Sequence, residues 1–400
     1  MAIHSISEVD VTGKRLIVRA DLNAPMKDGA VTDATRITRF AEGLKPLLDA
    51  GARVVVLSHF GRPKGQVVPE MSLAPIAPVL AAALGVDVKF VPDCVGEVAE
   101  SAAAALENGQ VILCENLRFH PGEEANDPAF AAALARLGDI YVNDAFSCAH
   151  RAHASTAALA ALLPAYSGPL MDEEVHALTA ALEAPAHPAV ALVGGAKVSS
   201  KIAVLKNLVS KVDSVIIGGG MANTFFYADG LPIGKSLCET DQVETVREIQ
   251  ALARDAGCEL VLPSDVVYAF KFADNVRSFI TDVADCPEDG IILDAGPKSV
   301  VRFRSVLSRA HTILWNGPLG AFEMRPFEQA TKQVALEAAE LTRSGLVTSV
   351  AGGGDTVAAL NMAGVAEDFT YVSSAGGAFL EWLEGKELPG LAALDRDLAA

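Results

Sequence analysis

The 400-residue chain predicts an α/β protein of two doubly wound parallel-sheet lobes joined by a helical hinge. Three observations predict it. Short apolar runs recur along the whole chain, each followed by a helical pattern, the order that covers a parallel sheet with helices on both faces. The length suits two domains. Near the middle, Leu163-Pro164 and Ser167-Gly168-Pro169 break the pattern, the stretch 171–184 reads as one helix, and Pro185 and Pro188 close it. The expected division is a first lobe over 1–170, a connecting helix and hinge over 171–188, and a second lobe over 189–387.

Composition narrows the function. Hydrophobic residues are 51% and charged residues 20%, so a large core is buried and disorder is excluded. The formal net charge of -18 argues against nucleic-acid and anionic-membrane partners. It leaves room for a small anion held by a local cluster of Arg and Lys. The longest apolar run, Ile76 to Val86, contains Pro78 and is too short to span a bilayer. The first ten residues lack a basic segment followed by an apolar one, so a cytoplasmic location is expected. The six cysteines form no CxxC pair, which argues against a zinc site or a disulfide framework and suits a reducing compartment.

In the first half, KRLIVRA (14–20) reads as a buried strand followed by Asp21 and Asn23. Asp33 is placed to cap a helix running to about Ala50, with Arg36 in its first turn and Gly51 beyond its end. RVVVLS (53–58) is a second strand, followed by His59 and Arg62. Ser72 is expected to start a helix, and DVKFV (87–91) is a third strand. QVILCE (110–115) leads to Asn116 and Arg118. After a helix near 127–137, DIYVND (139–144) leads to His150, Arg151 and His153. Ligands of such sheets bind beyond the carboxyl ends of the strands. Those ends supply Asp21, Asn23, His59, Arg62, Arg118 and Arg151, with Arg36 nearby. Guanidinium forks match carboxylate and phosphate oxygens in pairs, so this rim suits a small molecule with two or more negative groups. Any one of these arginines alone would read as a surface ion pair. His150 and His153 lack a third ligand and read as structural.

The second half opens on VALVGGAKVSSK (190–201): an apolar strand, Gly194-Gly195 where the chain must turn tightly, then Lys197 and Lys201 at the opening of a helix. Free N–H groups and the positive helix end make an anion-binding shape there. Further apolar runs at 259–263 and 290–294 read as strands. The glycine turn itself recurs at Gly218-Gly219-Gly220, Asn316-Gly317-Pro318, Gly352-Gly353-Gly354 with Asp355 and Thr356, and Gly376-Gly377. Each brings backbone N–H groups within reach of phosphate oxygens. Asp355 would equally serve as a plain helix cap. GLPIGKS (230–236) has three residues between its glycines where a Walker A loop needs four, and neither GGGMAN nor GGGDTV completes GxGxxG.

RADLNAP (19–25), SHFGRPKG (58–65), ENLRFHPGEE (115–124), YVNDAFSCAHRAHAST (141–156), VGGAKVSSKI (193–202), IIGGGMANTF (216–225), LWNGPLGAFE (314–323) and AGGGDT (351–356) together resemble the phosphoglycerate kinase family, in order and over nearly the whole chain. The resemblance implies 3-phosphoglycerate on the first lobe, MgATP on the second, and a monomer. It implies that Asp21, Asn23, Arg36, His59, Arg62, Arg118 and Arg151 hold the acid and that Lys197 accompanies the moving phosphoryl group. Lys201, Asn316, Glu323, Asp355 and Thr356 become nucleotide contacts, Glu323 on the ribose and Asp355 on Mg²⁺. Gly218 to Gly220 and Pro318 wall the adenine slot, and Gly353 and Gly354 lie at the glycine rim. It also implies that 388–400 returns to the first lobe. Departures from the family pattern are Cys114, Ser147-Cys148, Ser200, and SSAGGA (373–378), where Ala375 replaces a glycine near the phosphates.

The expected reaction is reversible transfer between ATP and the carboxylate of 3-phosphoglycerate, giving ADP and 1,3-bisphosphoglycerate. That carboxylate is ionised at neutral pH, so no general base is needed. Catalysis is then positioning and charge neutralisation, with Arg36 and Lys197 supplied from opposite lobes by hinge closure. A nicotinamide-dependent dehydrogenase would need the missing GxGxxG. A binding protein without catalysis would not need the second, glycine-rich rim.

Overall fold

The computed structural model describes residues 3–395. The chain divides into two compact units: one up to Val175 together with the segment from Glu387, the other His176–Lys386. Among the described residues no helix is long and apolar enough to cross a membrane.

The first unit is built on a six-stranded parallel sheet. Its strands are β1 (Arg15–Ala20), β2 (Arg53–Leu57), β3 (Val88–Val91), β4 (Val111–Cys114), β5 (Ile140–Asp144) and β6 (Ala165–Ser167), in spatial order β3-β4-β2-β1-β5-β6. Nearly every residue of β1, β2, β4 and β5 is buried, as expected when helices cover both faces. Alternation still sorts them. Leu16, Val18, Val54 and Val56 enter one core with Phe40 and Leu44 of α1 (Thr35–Asp49) and Leu80 of α2 (Ile76–Leu84). Ile17, Val55, Ile112 and Tyr141 enter the opposite core with Ala99 of α3 (Gly96–Ala104) and Leu134 of α4 (Pro128–Ala135). The chain reverses its direction of progress across the sheet between β1 and β5, so a crevice opens at their carboxyl ends.

The segment 388–395 belongs to this unit. Gly390 N donates to Ala149 O at 2.8 Å, and a Cβ on Gly390 would lie 2.8 Å from Ala149 Cα, so only glycine fits there. Leu394 is buried beside Leu159 and Leu137. The remainder of the expected returning segment, 396–400, lies outside the described residues.

The second unit carries a parallel sheet of β7 (Ala189–Val193), β8 (Ser214–Ile217), β9 (Glu259–Val261), β13 (Thr312–Asn316), β14 (Thr348–Gly352) and β15 (Tyr371–Ser373), in order β9-β8-β7-β13-β14-β15. Its switch point falls between β7 and β13. Helices follow the strands: α6 (Ile202–Leu208), α7 (Gly220–Ala228), α8 (Val243–Ala256), α9 (Pro297–Leu307), α10 (Gln329–Arg343), α11 (Gly354–Ala363) and α12 (Gly376–Leu383). Val190, Leu192, Ile313 and Trp315 pack against Phe303 of α9 and Val334 of α10.

Several local expectations shift. The run at 290–294 lies in β12 (Ile291–Ala295), which pairs antiparallel with β10 (Asp265–Ala269) in a small three-stranded sheet completed by β11 (Phe279–Asp282), apart from the parallel one. Ser72 does not start a helix. α2 begins after Pro75, because the residue before a proline is pushed out of the helical region. The helix expected from 171 begins at Pro169, whose fixed φ suits a first helical position, as α5 (Pro169–Leu178), and winds on more widely over Thr179–Glu183. Asp33 stands one residue before the cap position of α1, held by Ala34, and its Oδ1 accepts from Thr35 N at 2.9 Å.

Candidate functional site

In the first unit, the carboxyl ends of β1, β2, β4 and β5 bring together most of the residues singled out by sequence. Arg36, in the first turn of α1, donates to Asp21 Oδ2 at 2.7 Å, and Ser147 Oγ donates to the same oxygen at 2.5 Å. Asn23 Oδ1 accepts from Gly61 N at 3.1 Å, and Arg118 donates to Gly61 O at 2.8 Å, so the turn preceding Arg62 is gripped from both sides. Arg62 itself is exposed. Arg151 donates to His150 Nε2 at 3.1 Å, and its charge reaches His59, Arg118 and His153.

His59 is buried, and beneath it lies a residue that sequence reading passed over. Arg19 is fully buried in β1. It donates to His59 Nδ1 at 3.1 Å and to Ser155 Oγ at 2.9 Å, while Ser155 donates to the fully buried Glu123 at 2.6 Å. Burial opposes the Arg19 charge, but neighbouring negative groups, Glu123 and Asp21 among them, outweigh it and hold the guanidinium above its ordinary value. Arginine only donates, so His59 Nδ1 is an acceptor and the ring's proton sits on Nε2. Burial, then Arg19 and Arg118, push His59 well below the ordinary histidine value. His59 is therefore a neutral N–H donor. Arg19 was hidden in an apolar strand. The signal available was its charge amid LIVRA, which demands a buried partner.

In the second unit, the ends of β7, β8, β13 and β14 meet through backbone. Gly194 N donates to Asn316 O at 3.0 Å, Gly219 N donates to Leu319 O at 2.8 Å, and Met221 N donates to Gly195 O at 3.0 Å. Gly219 caps α7 with φ 71°, and its added Cβ would stand 2.7 Å from Gly195 O. Lys201 Nζ donates to Asn316 Oδ1, Asn316 Nδ2 donates to Gly352 O at 2.7 Å, and Thr356 Oγ1 accepts from Gly317 N at 2.7 Å. Burial lowers Lys201 from its ordinary value, while Asp355 and Glu384 act to raise it. Lys197 is exposed at the turn before α6. Gly219, Leu293, Asp294 and Leu319 line a narrow cleft. Glu323 lines a separate open groove with Phe322, Lys332 and Met362.

The start of α11 excludes the cap reading of Asp355. Gly353, at φ 98°, is the cap, and Asp355 lies within the first turn, so it is not there to cap the helix. Its carboxylate is exposed at a positive helix end. Ala375 caps α12 with φ -90°, a conformation any L-residue adopts, so the missing glycine leaves the backbone unstrained. Gly354 and Gly376 face open space.

A family model described as phosphoglycerate kinase matches residues 6–386. The chain belongs to the phosphoglycerate kinase family. The phosphoglycerate kinase of Cereibacter sphaeroides is 57% identical over 396 residues, covering 99% of this chain and 100% of that one. That of Methylorubrum extorquens is 59% identical over 382 residues, 96% of each. The solved phosphoglycerate kinase from Coxiella burnetii is 42% identical with a TM-score of 0.92, covering 98% of this chain and 99% of that one. The one from Pyrococcus horikoshii is 29% identical with a TM-score of 0.79, covering 98% of each. The likeness covers both units, so the family's two-sheet architecture and this chain's agree along their length.

Proposed function

We propose that this chain transfers a phosphoryl group reversibly between ATP and the carboxylate of 3-phosphoglycerate, giving ADP and 1,3-bisphosphoglycerate. The observation that carries this reading is the similarity to phosphoglycerate kinases over nearly the full chain. The two strand-end rims support it, since each is equipped for a different anion.

Arg36, Arg62, Arg118 and Arg151 offer the acid its charge partners, Asp21 and Asn23 set the positions of Arg36 and of the Gly61 turn, and His59 adds a neutral donor. A neutral imidazole suits this task because the attacking carboxylate is already ionised and has no proton to give up. Lys201, Asn316, Thr356, Gly353 and Gly354 would receive the nucleotide's phosphates with one cation and several backbone N–H groups. Gly219 and Pro318 would border the base, beside the narrow cleft that Gly219 and Leu319 line. Glu323 would take the ribose hydroxyls. Lys197 and Arg36 would neutralise the charge that spreads over the moving phosphoryl group.

Mg²⁺ fits the donors present. A hard cation is commonly held by one or two carboxylates and the substrate's own phosphates, and Asp355 offers one exposed carboxylate beside Lys201. When bound with the nucleotide, the ion would supply charge neutralisation on the phosphate oxygens. We take the chain to act as a monomer in the cytoplasm, a state that sedimentation of the purified chain tests.

The deciding experiment supplies 3-phosphoglycerate, ATP and Mg²⁺ and follows ADP through a coupled reaction, with the acyl phosphate trapped by hydroxylamine. Acid-dependent ADP release with an equal yield of trapped product is expected. ADP release that ignores the acid would refute the reading.

A further inference from the structure

We propose that Asp93, Cys94 and His120 form a binding site for a divalent transition-metal ion of the zinc class, separate from the residues assigned to either substrate. Each of the three offers one ligand atom, and these atoms lie within 4.8 Å of one another. Sequence spacing hides the group, because no CxxC pair exists and His120 comes 26 residues after Cys94. The fold assembles it. Asp93 and Cys94 follow β3, His120 follows β4, and those strands are neighbours with Val91 opposite Cys114 at their ends.

The ligands are held in place before any ion arrives. Asp93 Oδ1 accepts from Cys94 N at 2.7 Å and from Val95 N at 3.3 Å, which fixes the turn. The same oxygen lies 2.8 Å from His120 Nε2, and the His120 ring stacks on Phe130 with centroids 5.1 Å apart. Cys94 is fully buried and in no disulfide. Burial, followed by coupling to the Cys114 thiol and by the carboxylates of Asp93 and Glu123, pushes that thiol well up, so in the free protein it keeps its proton. An arriving cation meets a locally negative pocket and takes that proton's place. The S–H bond breaks, the proton leaves to solvent, and a sulfur–metal bond forms. His120 gives up its hydrogen bond to Asp93, carries its proton on Nδ1 and turns the Nε2 lone pair to the ion.

One thiolate, one imidazole and one carboxylate form a mixed sulfur, nitrogen and oxygen set that suits Zn²⁺ or Co²⁺ and is a poor match for Mg²⁺ or Ca²⁺. The side chains of His120 and Asp93 are 33% and 43% exposed, which gives the ion its way in and leaves the fourth position to water.

The test uses the full chain, stripped of metal with a chelator and titrated with Co²⁺ alone. The expected result is a thiolate-to-cobalt charge-transfer band that saturates at one ion per chain, is bleached by Zn²⁺ and survives excess Mg²⁺. Cys94→Ser should abolish the band. His120→Gln, at a partly exposed position that the fold tolerates, should weaken Co²⁺ binding at least about tenfold, the loss that removing even an outer partner causes. Asp93→Asn keeps an oxygen for the Cys94 and Val95 N–H groups, removes the anionic ligand, and should weaken binding similarly. Cys238→Ser, at the more exposed cysteine, should change nothing. No band in the wild-type chain, a band that survives Cys94→Ser, or unchanged affinity in both His120→Gln and Asp93→Asn would each overturn the site.

Discussion

Gly194→Ala should disable the second unit's rim through backbone displacement alone. Gly194 follows β7, where the chain passes close to the turn that follows β13. A Cβ built there would stand 1.9 Å from Pro318 O and 2.6 Å from Pro318 C. To bring the carbonyl oxygen from 1.9 Å to even 3.0 Å, the turn must retreat by 1.1 Å. That turn cannot yield without loss elsewhere. Gly317 N donates to Thr356 Oγ1, Trp315 Nε1 donates to Gly317 O at 2.7 Å, and Leu319 O receives Gly219 N. Overpacking of this kind costs about 1–3 kcal/mol of stability. Misplacing positioning groups by about 1 Å costs about 10²-fold in rate. The expected outcome is therefore a modest loss in urea midpoint with a fall of about 10²-fold in kcat/KM for ATP, while 3-phosphoglycerate still binds by calorimetry.

Gly257→Ala is the control. Gly257 caps α8 at φ 72° with open space around its missing Cβ, so alanine there costs backbone strain of about 1–2 kcal/mol and displaces nothing. Its kinetics should match wild type. If Gly194→Ala keeps wild-type kinetics, or if Gly257→Ala loses as much kcat/KM, the steric reasoning fails.

Three further outcomes are expected. Arg118→Ala should weaken 3-phosphoglycerate binding by about 1.5–3 kcal/mol, the range for a lost hydrogen bond to a charged group, and leave MgATP binding nearly unchanged; equal losses for both ligands by calorimetry would sink the assignment. Asp355→Asn should lower turnover and move its Mg²⁺ dependence to higher concentration, and since Gly353 is the cap, helix stability should fall only by the about 0.3–1 kcal/mol of a charge at a helix N-terminus; an unaltered Mg²⁺ titration would count against metal binding. Burial, then Arg118 and Arg19, push His153 from 6.5 down to about 4, so the unfolded chain takes up this proton first. The neutral ring's contribution to stability is therefore full above pH 6.5 and is lost as pH falls toward about 4; His153→Gln should flatten that limb of the urea midpoint against pH, and an identical limb would refute it.

The parallel sheets were legible because buried strands are continuous apolar runs and each ends at a residue that stops it. RVVVL ends at Ser58-His59, and AVALV ends at Gly194-Gly195. What was not legible lacks that grammar. β11 is half exposed and β10 mixes Asp265 with Tyr268, so the antiparallel pairing of β10 with β11 on one side and β12 on the other rests on contacts far apart in sequence. Helix starts slipped where a proline acted in an unexpected sense, ending the run before Ile76 and opening α5 at Pro169.

The two rims differ in what makes them readable. The first is built from charged side chains at strand ends, so its outer arginines can be picked from sequence by residue type. Its inner support cannot, because Arg19, Ser155 and Glu123 are brought together across 136 and 32 positions of chain, and each looks ordinary where it stands. The second rim is built from main chain. Its specificity for glycine comes from neighbours at the ends of other strands: Pro318 over Gly194, Gly195 over Gly219, Asn316 over Gly353. A run of glycines therefore announces a turn, yet which glycine is irreplaceable follows only from the backbone that crosses above it. Gly354, with nothing within 4 Å, and Gly194, with a carbonyl at 1.9 Å, look alike in sequence and should respond to alanine in opposite ways. Alanine at Gly354 also favours the helix it opens, so that variant should fold at least as stably as wild type.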